Sequence, residues 1–423
     1  RTIGYERMTN DDKFSGVGLE HAFGSKLRGK NGLQLMQKIS NGKWKPISSN
    51  NKIEPTPGTD IISTINVGFQ DITHHSLLKQ LEDFEADHGT AVVMETATGE
   101  IKAISNLGRT SEGKYYEKLN YAVGEHFEPG STFKLMALMA ALEDKVVDTA
   151  TVVDTKQGVK TFYNRKIYDS HRGGYGKISV ARAFEVSSNI GLATIINENY
   201  AKTPEKFINR LNSWSLNKPL GLSIIGEGIP VIPGPGHKLW SKNAWPSIAY
   251  GYNVRLTPLQ TLTFYNAIAN DGVMVKPRFL REVKEFEKTI ESFDREVINN
   301  KICSDKTLKE VQEILKNVVI KGTTKGTQSD FDGKYSIMAN TGDVLLFRYL
   351  GMKPQDVTVG ASNTMNIVLM TDIAALDEVL VVGYGTATKQ SFAGTAKTVG
   401  SELLEIKNVS NVSQALAGEV AGV

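Results

Sequence analysis

A single cysteine, Cys303, stands among the 423 residues. No disulfide can form within the chain, and cysteine usage alone leaves the redox compartment open. No apolar run approaches the roughly 18 residues that a membrane-spanning helix needs, and the start of the chain has no signal-peptide pattern. The net charge is only +3 and the lysines are scattered, so there is no nucleic-acid footprint. Seven histidines are present, but no His-x-x-x-His pair occurs and no glutamate sits between two of them. Zinc-hydrolase spacing is therefore absent, and neither a metal nor a cofactor is expected. No Gly-x-Ser-x-Gly elbow exists, and Asp169, Ser170 and His171 are adjacent, so they cannot converge on one reacting atom. The chain begins at Arg1 without methionine and ends at Val423 inside a half-finished helical pattern, which predicts a fragment at both ends.

What is present centres on residues 128–143, EPGSTFKLMALMAALE. A Pro-Gly pair stops the preceding chain, Ser131 stands where a helix would start, and the following residues are apolar on nearly every side. A helix without a polar face is a buried one. Ser131 and Lys134 are three apart, one turn above each other on one face. A hydroxyl and an amine thus meet at the mouth of a buried helix, whose free N–H groups favour negative charge. The Ser-x-x-Lys tetrad also occurs at Ser40, Ser49, Ser76, Ser111 and Ser215. Those copies lie in polar stretches or on an amphipathic helix, where the pair is solvated. His74 and His75 read as partly exposed residues of that amphipathic helix rather than ligands.

In chain order, residues 1–55 are Gly- and Lys-rich and end at Pro55-Thr56-Pro57-Gly58, which reads as a small appended region and a linker. A strand from Asp60, a helix over about Val67–Asp87 and two strands joined at Ala97-Thr98-Gly99 follow. Strand, helix, hairpin and buried helix in that order predict an α+β arrangement. In FEVSSNIGLATI, residues 184–195, Ser187, Ser188 and Asn189 interrupt an apolar segment. They either cap the helix that begins with Ile190 or reach the Ser131 site, because an unpaired buried polar group costs about 1–3 kcal/mol. TPLQTLTFYNAIANDG, residues 257–272, reads as a core helix with Pro258 in its first turn and an Asn-Asp-Gly stop.

Ser131-Thr132-Phe133-Lys134, followed about fifty residues later by Ser187-Ser188-Asn189, resembles the penicilloyl-serine transferases. The resemblance is to FtsI-like class B penicillin-binding proteins, and YEKLNYAVG, DSHRGGYGKISVARAFEVSSN and AYGYNVRLTPLQTLTFYNAIANDG carry it further. It runs over residues 1–319. It implies the penicillin-binding-protein/β-lactamase-like transpeptidase fold over 56–319, with 1–55 as a remnant of the pedestal domain.

By that resemblance Ser131 is the nucleophile that attacks the penultimate D-Ala carbonyl of a peptidoglycan stem peptide. Lys134 is the general base, kept neutral part of the time by burial and neighbouring positive charge. Ser187 relays a proton to the leaving D-Ala, Asn189 holds Lys134 and the substrate amide, and Ser188 is assigned to substrate binding. The Ser131 N–H supplies half of the oxyanion hole, and β-lactams become covalently trapped at Ser131. The family also needs a Lys-Thr-Gly strand beside the serine, about twenty residues after residues 313–319. It is missing there: Lys321-Gly322-Thr323 and Lys325-Gly326-Thr327 scramble the order, and Lys397-Thr398-Val399 lacks the glycine. The last core strands are therefore expected to be absent.

Residues 318–357 resemble instead the carboxypeptidase-regulatory-like β-sandwich that opens SusC-like TonB-dependent outer-membrane receptors. Short strands are expected at Tyr335–Met338, Val344–Tyr349, Asp356–Val359 and Asn366–Met370, and a partial sandwich over 320–372. Asp330, Asp332 and Gly333 suggest a calcium loop, but its twelfth position is Thr341 rather than glutamate, so a tight turn is expected. LDEVLVVGYGT, residues 376–386, resembles a TonB box, with Asp377, Glu378, Val379, Leu380, Val381 and Val382 as partner-binding residues. The bland reading of Leu380–Val382 is one more sandwich strand; the sharper one is a strand that pairs with TonB by β-augmentation. NVSQALAGEVAGV, residues 411–423, resembles the first plug helix, so 373–423 reads as TonB-box segment and start of plug.

The chain thus reads as a chimera joined near Val318–Thr323. The expected function is a penicillin-binding D,D-transpeptidase of cell-wall synthesis and cell division, impaired by the missing strand. A receptor-derived binding module with an inactive catalytic half is the alternative, and a serine β-lactamase the weaker one, since no deacylating carboxylate is identified. The periplasm is the compartment common to both parents.

Overall fold

In a computed structural model of the chain, the structure describes residues 1–11, 13–47, 52–315, 335–347, 355–362 and 364–368, with the backbone of 379–382 and 385–388. The chain divides into two compact units, Arg1–Phe347 with Gln355–Asn366, and Arg348–Pro354 with Ile367–Val423.

The first unit is α+β, as its element order predicts. Asn66 accepts from the Phe69 N–H and caps the helix Val67–Asp83, four residues shorter at its end than the sequence pattern suggests. Two antiparallel strands follow, His88–Met94 and Ile101–Arg109, in register from His88 opposite Gly108 to Met94 opposite Ile101. Tyr115–Tyr116 adds a short third strand, so Ile101–Arg109 is central and His88–Met94 is an edge. Burial follows this order: Ile101, Ala103, Ile104 and Leu107 are buried, whereas Ala91, Val92, Val93 and Met94 are only half-buried. Among the described residues no strand pairs with the outer side of His88–Met94. A second three-stranded sheet runs in the order Lys288–Ser292, Leu280–Glu285, Asp60–Ser63. The two sheets meet where Ile101 donates to the Arg278 carbonyl and Arg278 to that of Gly99.

The helix Lys134–Glu143 lies at the centre of the larger core, and every residue from Leu135 to Ala141 is fully buried, which explains its lack of a polar face. Around it pack Asn189–Tyr200, Phe207, Trp214, Trp245 and Phe264. Pro258–Ala269 is a core helix as expected, closed by a full capping box between Thr257 and Gln260.

Residues 1–56 are more structured than a linker. Tyr5–Met8 pairs with Phe14–Val17, and Met36–Lys38 pairs with Trp44–Pro46. Of the four sandwich strands expected, the described residues contain an antiparallel pair, Val344–Phe347 with Gln355–Thr358, while 335–340 and 364–368 hold no strand. Residues 330–333 and the expected plug helix lie outside the described residues. In the second unit Val379–Val382 pairs with Gly385–Thr388 as a hairpin.

Candidate active site

Ser131 does not sit on the α-helix itself. Gly130–Phe133 forms a 3-10 turn, and Lys134 is the first residue of the α-helix that follows. In a 3-10 turn residues three apart eclipse, so the spacing still brings the two side chains together. Lys134 Nζ lies 3.1 Å from Ser131 Oγ, donates to the Ser187 carbonyl at 2.6 Å and meets Ser187 Oγ at 2.9 Å. Ser131 is exposed while Lys134 is 1% exposed, so the hydroxyl faces solvent and the amine stands behind it. The N–H of Ser131, at the second position of the turn, has no acceptor within the helix and is free to meet negative charge.

Burial pushes the Lys134 amine down to about 8. No neighbouring positive charge contributes, contrary to the sequence expectation. The charged group that acts on Lys134 is Asp169, whose attraction raises the value against the effect of burial.

Ser187 takes a positive φ of 53°, unusual for a residue with a side chain. Held that way, its carbonyl and hydroxyl both reach Lys134. The neighbouring serine turns inward. Ser188 is buried, caps Asn189–Tyr200 by accepting from Gly191, and donates to both oxygens of Asp169 at 3.0 and 2.9 Å. Its hydroxyl is thus engaged below the surface by Asp169 and the Gly191 N–H. The two readings of the Ser187-Ser188 pair therefore both hold, one for each serine. Asn189 donates to the Tyr168 carbonyl at 2.9 Å rather than to Lys134, so the expected contact with the lysine is not made.

Sequence reasoning set Asp169 aside with the non-convergent Asp-Ser-His string. In the fold it is 9% exposed and accepts from Ser188 Oγ and, at 3.0 Å, from the Ile190 N–H. It fixes the loop that presents Ser187 from the end of the Arg165–Tyr168 strand. The serine turn has its own supports. Tyr265 donates to the Thr132 carbonyl at 2.9 Å, and Glu128 accepts from the Asn253 N–H at 2.8 Å. Gly251 has φ +84° and lies so close that a Cβ there would come 2.0 Å from the Gly130 carbonyl oxygen. These residues lie on stretches singled out as motifs, but nothing in their spacing points at Ser131.

Lys321–Thr323, Lys325–Thr327 and Lys397–Val399 lie outside the described residues, as do Asp377 and Glu378. Among the described residues no group of His, Cys, Asp or Glu could hold a metal, and no helix is long and apolar enough to cross a membrane. A cavity of about 560 Å³ is lined by Glu6, Arg28, Asp60 and Leu280 and includes no residue of the Ser131 group.

Residues 89–346 match the penicillin binding protein transpeptidase domain. A peptidoglycan D,D-transpeptidase FtsI of Buchnera aphidicola is 25% identical over 312 residues, 72% of this chain and 52% of that protein. A TonB-dependent receptor P26 of Formosa agariphila is 47% identical over 106 residues, 25% of this chain and 11% of the receptor. The crystal structure of penicillin binding protein 2X from Streptococcus thermophilus superposes with a TM-score of 0.63 at 19% identity, covering 81% of this chain and 55% of that one. The chain spans about half the length of the transpeptidase relatives and about a tenth of the receptors. The domain match runs past residue 319 and takes in Asn340-Thr341-Gly342. There Gly342 donates to the Val359 carbonyl and Asn340 to the Asp343 carboxylate, so this turn is tied to its own hairpin.

Proposed function

Because the chain belongs to the penicillin-binding protein transpeptidase family, we propose that it carries the acyl-transfer half of a peptidoglycan D,D-transpeptidase, impaired by the absence of the Lys-Thr-Gly strand. The observation that carries this reading is the Lys134 amine, buried and within hydrogen-bond distance of both Ser131 Oγ and Ser187 Oγ.

With its amine at about 8, roughly one Lys134 in ten is neutral at pH 7. The neutral form takes the Ser131 proton as Oγ bonds to the penultimate D-Ala carbonyl carbon. The carbonyl oxygen becomes an oxyanion beside the Ser131 N–H. Collapse breaks the C–N bond, and the leaving D-Ala nitrogen receives a proton passed from Lys134 through Ser187 Oγ. An amine of a second stem peptide then attacks the serine ester and gives up a proton to Lys134, which returns it to Ser131 Oγ as the ester C–O bond breaks. Asn189, anchored on Tyr168, would meet the substrate amide. A β-lactam enters by the same first step and remains as the ester.

The family's third element would supply carboxylate recognition and the second oxyanion N–H. Loss of one oxyanion donor typically slows catalysis about a hundred- to a thousandfold. The chain would act in the periplasm, with stem peptides and β-lactams as its partners. For the tail, the 106-residue likeness to a TonB-dependent receptor supports docking of TonB on residues 376–386. Pull-down by TonB that survives deletion of those residues would exclude that part. Labelling with a fluorescent penicillin tests the enzyme reading: slow labelling that Ser131→Ala abolishes is expected, and labelling that survives it would overturn the assignment.

A further inference from the structure

The residues before the transpeptidase domain hold a feature that acyl transfer does not use. Residues 30–47 and 52–56 pair as a two-stranded ribbon. Lys30 bonds Thr56, Leu33 bonds Ile53, Ile47 donates to Leu35, Met36–Lys38 pairs with Trp44–Pro46, and Ile39 donates to Lys43. The described side chains from Leu35 to Ile47 are exposed, and among the described residues no further strand pairs with this part of the ribbon. A bare two-stranded ribbon is marginal in water. This one nevertheless displays Leu33, Leu35, Met36, Ile39, Trp44, Ile47 and Ile53, with Leu33 65% and Trp44 59% exposed.

Two further observations say what covers it. Charge is one: Lys30, Lys38, Lys43, Lys45 and Lys52 face a single acid, Glu54, which pairs with Lys52 at 2.6 Å. Four lysines are left without a countercharge in the ribbon. The second is how the apolar groups are distributed. Side chains alternate between the faces of a strand, so the observed register puts Leu35, Ile39 and Ile47 on one face and Met36 and Trp44 on the other. A groove on a folded protein covers one face of a strand pair. A lipid headgroup layer can take up both, with the lysine stems lying along the apolar part and their amines on lipid phosphates. The open edges of the ribbon keep unpaired backbone groups, which limits it to headgroup depth. A tryptophan near the tip suits that depth.

We propose that the described ribbon, residues 30–47 with 52–56, is a membrane-surface docking element that binds anionic lipid headgroups. It acts independently of Ser131 and of whether acyl transfer survives.

The full chain is mixed with vesicles of phosphatidylglycerol and phosphatidylethanolamine, or of phosphatidylcholine alone, and read by co-sedimentation and tryptophan emission. Trp214 and Trp245 are buried and Trp240 is half-buried, so Trp44→Phe is the control that assigns an added blue shift to Trp44. Binding at least about tenfold tighter to the anionic vesicles is expected, with a Trp44 blue shift that high salt reverses. Lys43→Gln with Lys45→Gln, two exposed positions that leave the pairing intact, should weaken binding about thirtyfold. Equal or absent binding to the two vesicle types, or binding without a change in Trp44 emission, would overturn the proposal and return the ribbon to the class of protein-docking elements.

Discussion

At the residue scale, the account turns on Lys134. Acylation of Ser131 needs the neutral amine, so its rate should rise with pH through a midpoint at about 8, measurable as penicillin labelling between pH 6 and 9. Asp169 opposes burial by favouring the charged amine, and it reaches the site only through Ser188 and the Ser187 loop. It is a positioning residue. Asp169→Asn should move the labelling midpoint below 8, whereas a purely structural role would lower stability and leave the midpoint in place. Ser131 and Lys134 were legible because three-residue spacing survives the change from α to 3-10 geometry. Asp169 was not, because its partners Ser188 and Ile190 lie about twenty residues away and only the fold brings them together.

Glu100 makes a second residue-scale case, this time for stability. It is 5% exposed, accepts from Arg278 and Arg281, and contacts Lys102, and its carboxyl is held down at about 2, first by the Arg281 hydrogen bond. The unfolded carboxyl titrates near 4.5, so the stabilisation is complete above that pH and is lost as pH falls through about 2. Glu100→Gln leaves Arg278 and Arg281 without their carboxylate partner and should cost about 3 kcal/mol at pH 7. Urea unfolding at pH 7 and pH 3 checks both, with a smaller difference between the two expected in the variant.

At the element scale, the buried helix and its neighbours followed from composition: a run that is apolar on every side has nowhere to go but the core. The serine turn did not. Its position depends on Gly251, where φ +84° and the approach to Gly130 allow no side chain. Gly251→Ala should destabilise the fold by about 2 kcal/mol and displace the turn, seen as a lower urea midpoint together with loss of penicillin labelling. The half-buried edge strand His88–Met94 carries four consecutive apolar residues, Ala91 to Met94, and its open side is where strands continuing this sheet would pair. The sandwich strands were less legible. Short alternating segments with Gly and Asn turns fit several pairings, and among the described residues of 320–372 the ladder formed is Val344–Phe347 with Gln355–Thr358.

For the whole molecule, two likenesses meet in one chain, a transpeptidase domain over 89–346 and a 106-residue match to TonB-dependent receptors. The join was legible because one set of motifs breaks off before its third member and another begins. The domain match itself extends past that join. The first two thirds of the acyl-transfer site are assembled, with Ser131, Lys134 and Ser187 in contact. The strand that would face them has no counterpart among the described residues. The measurement that bears most directly on this is the time course of fluorescent-penicillin labelling of the full chain. The account predicts one label per chain, at Ser131, forming about a hundred- to a thousandfold more slowly than in a relative that keeps its Lys-Thr-Gly strand. Rapid stoichiometric labelling of Ser131, or a label that persists in Ser131→Ala, would contradict it.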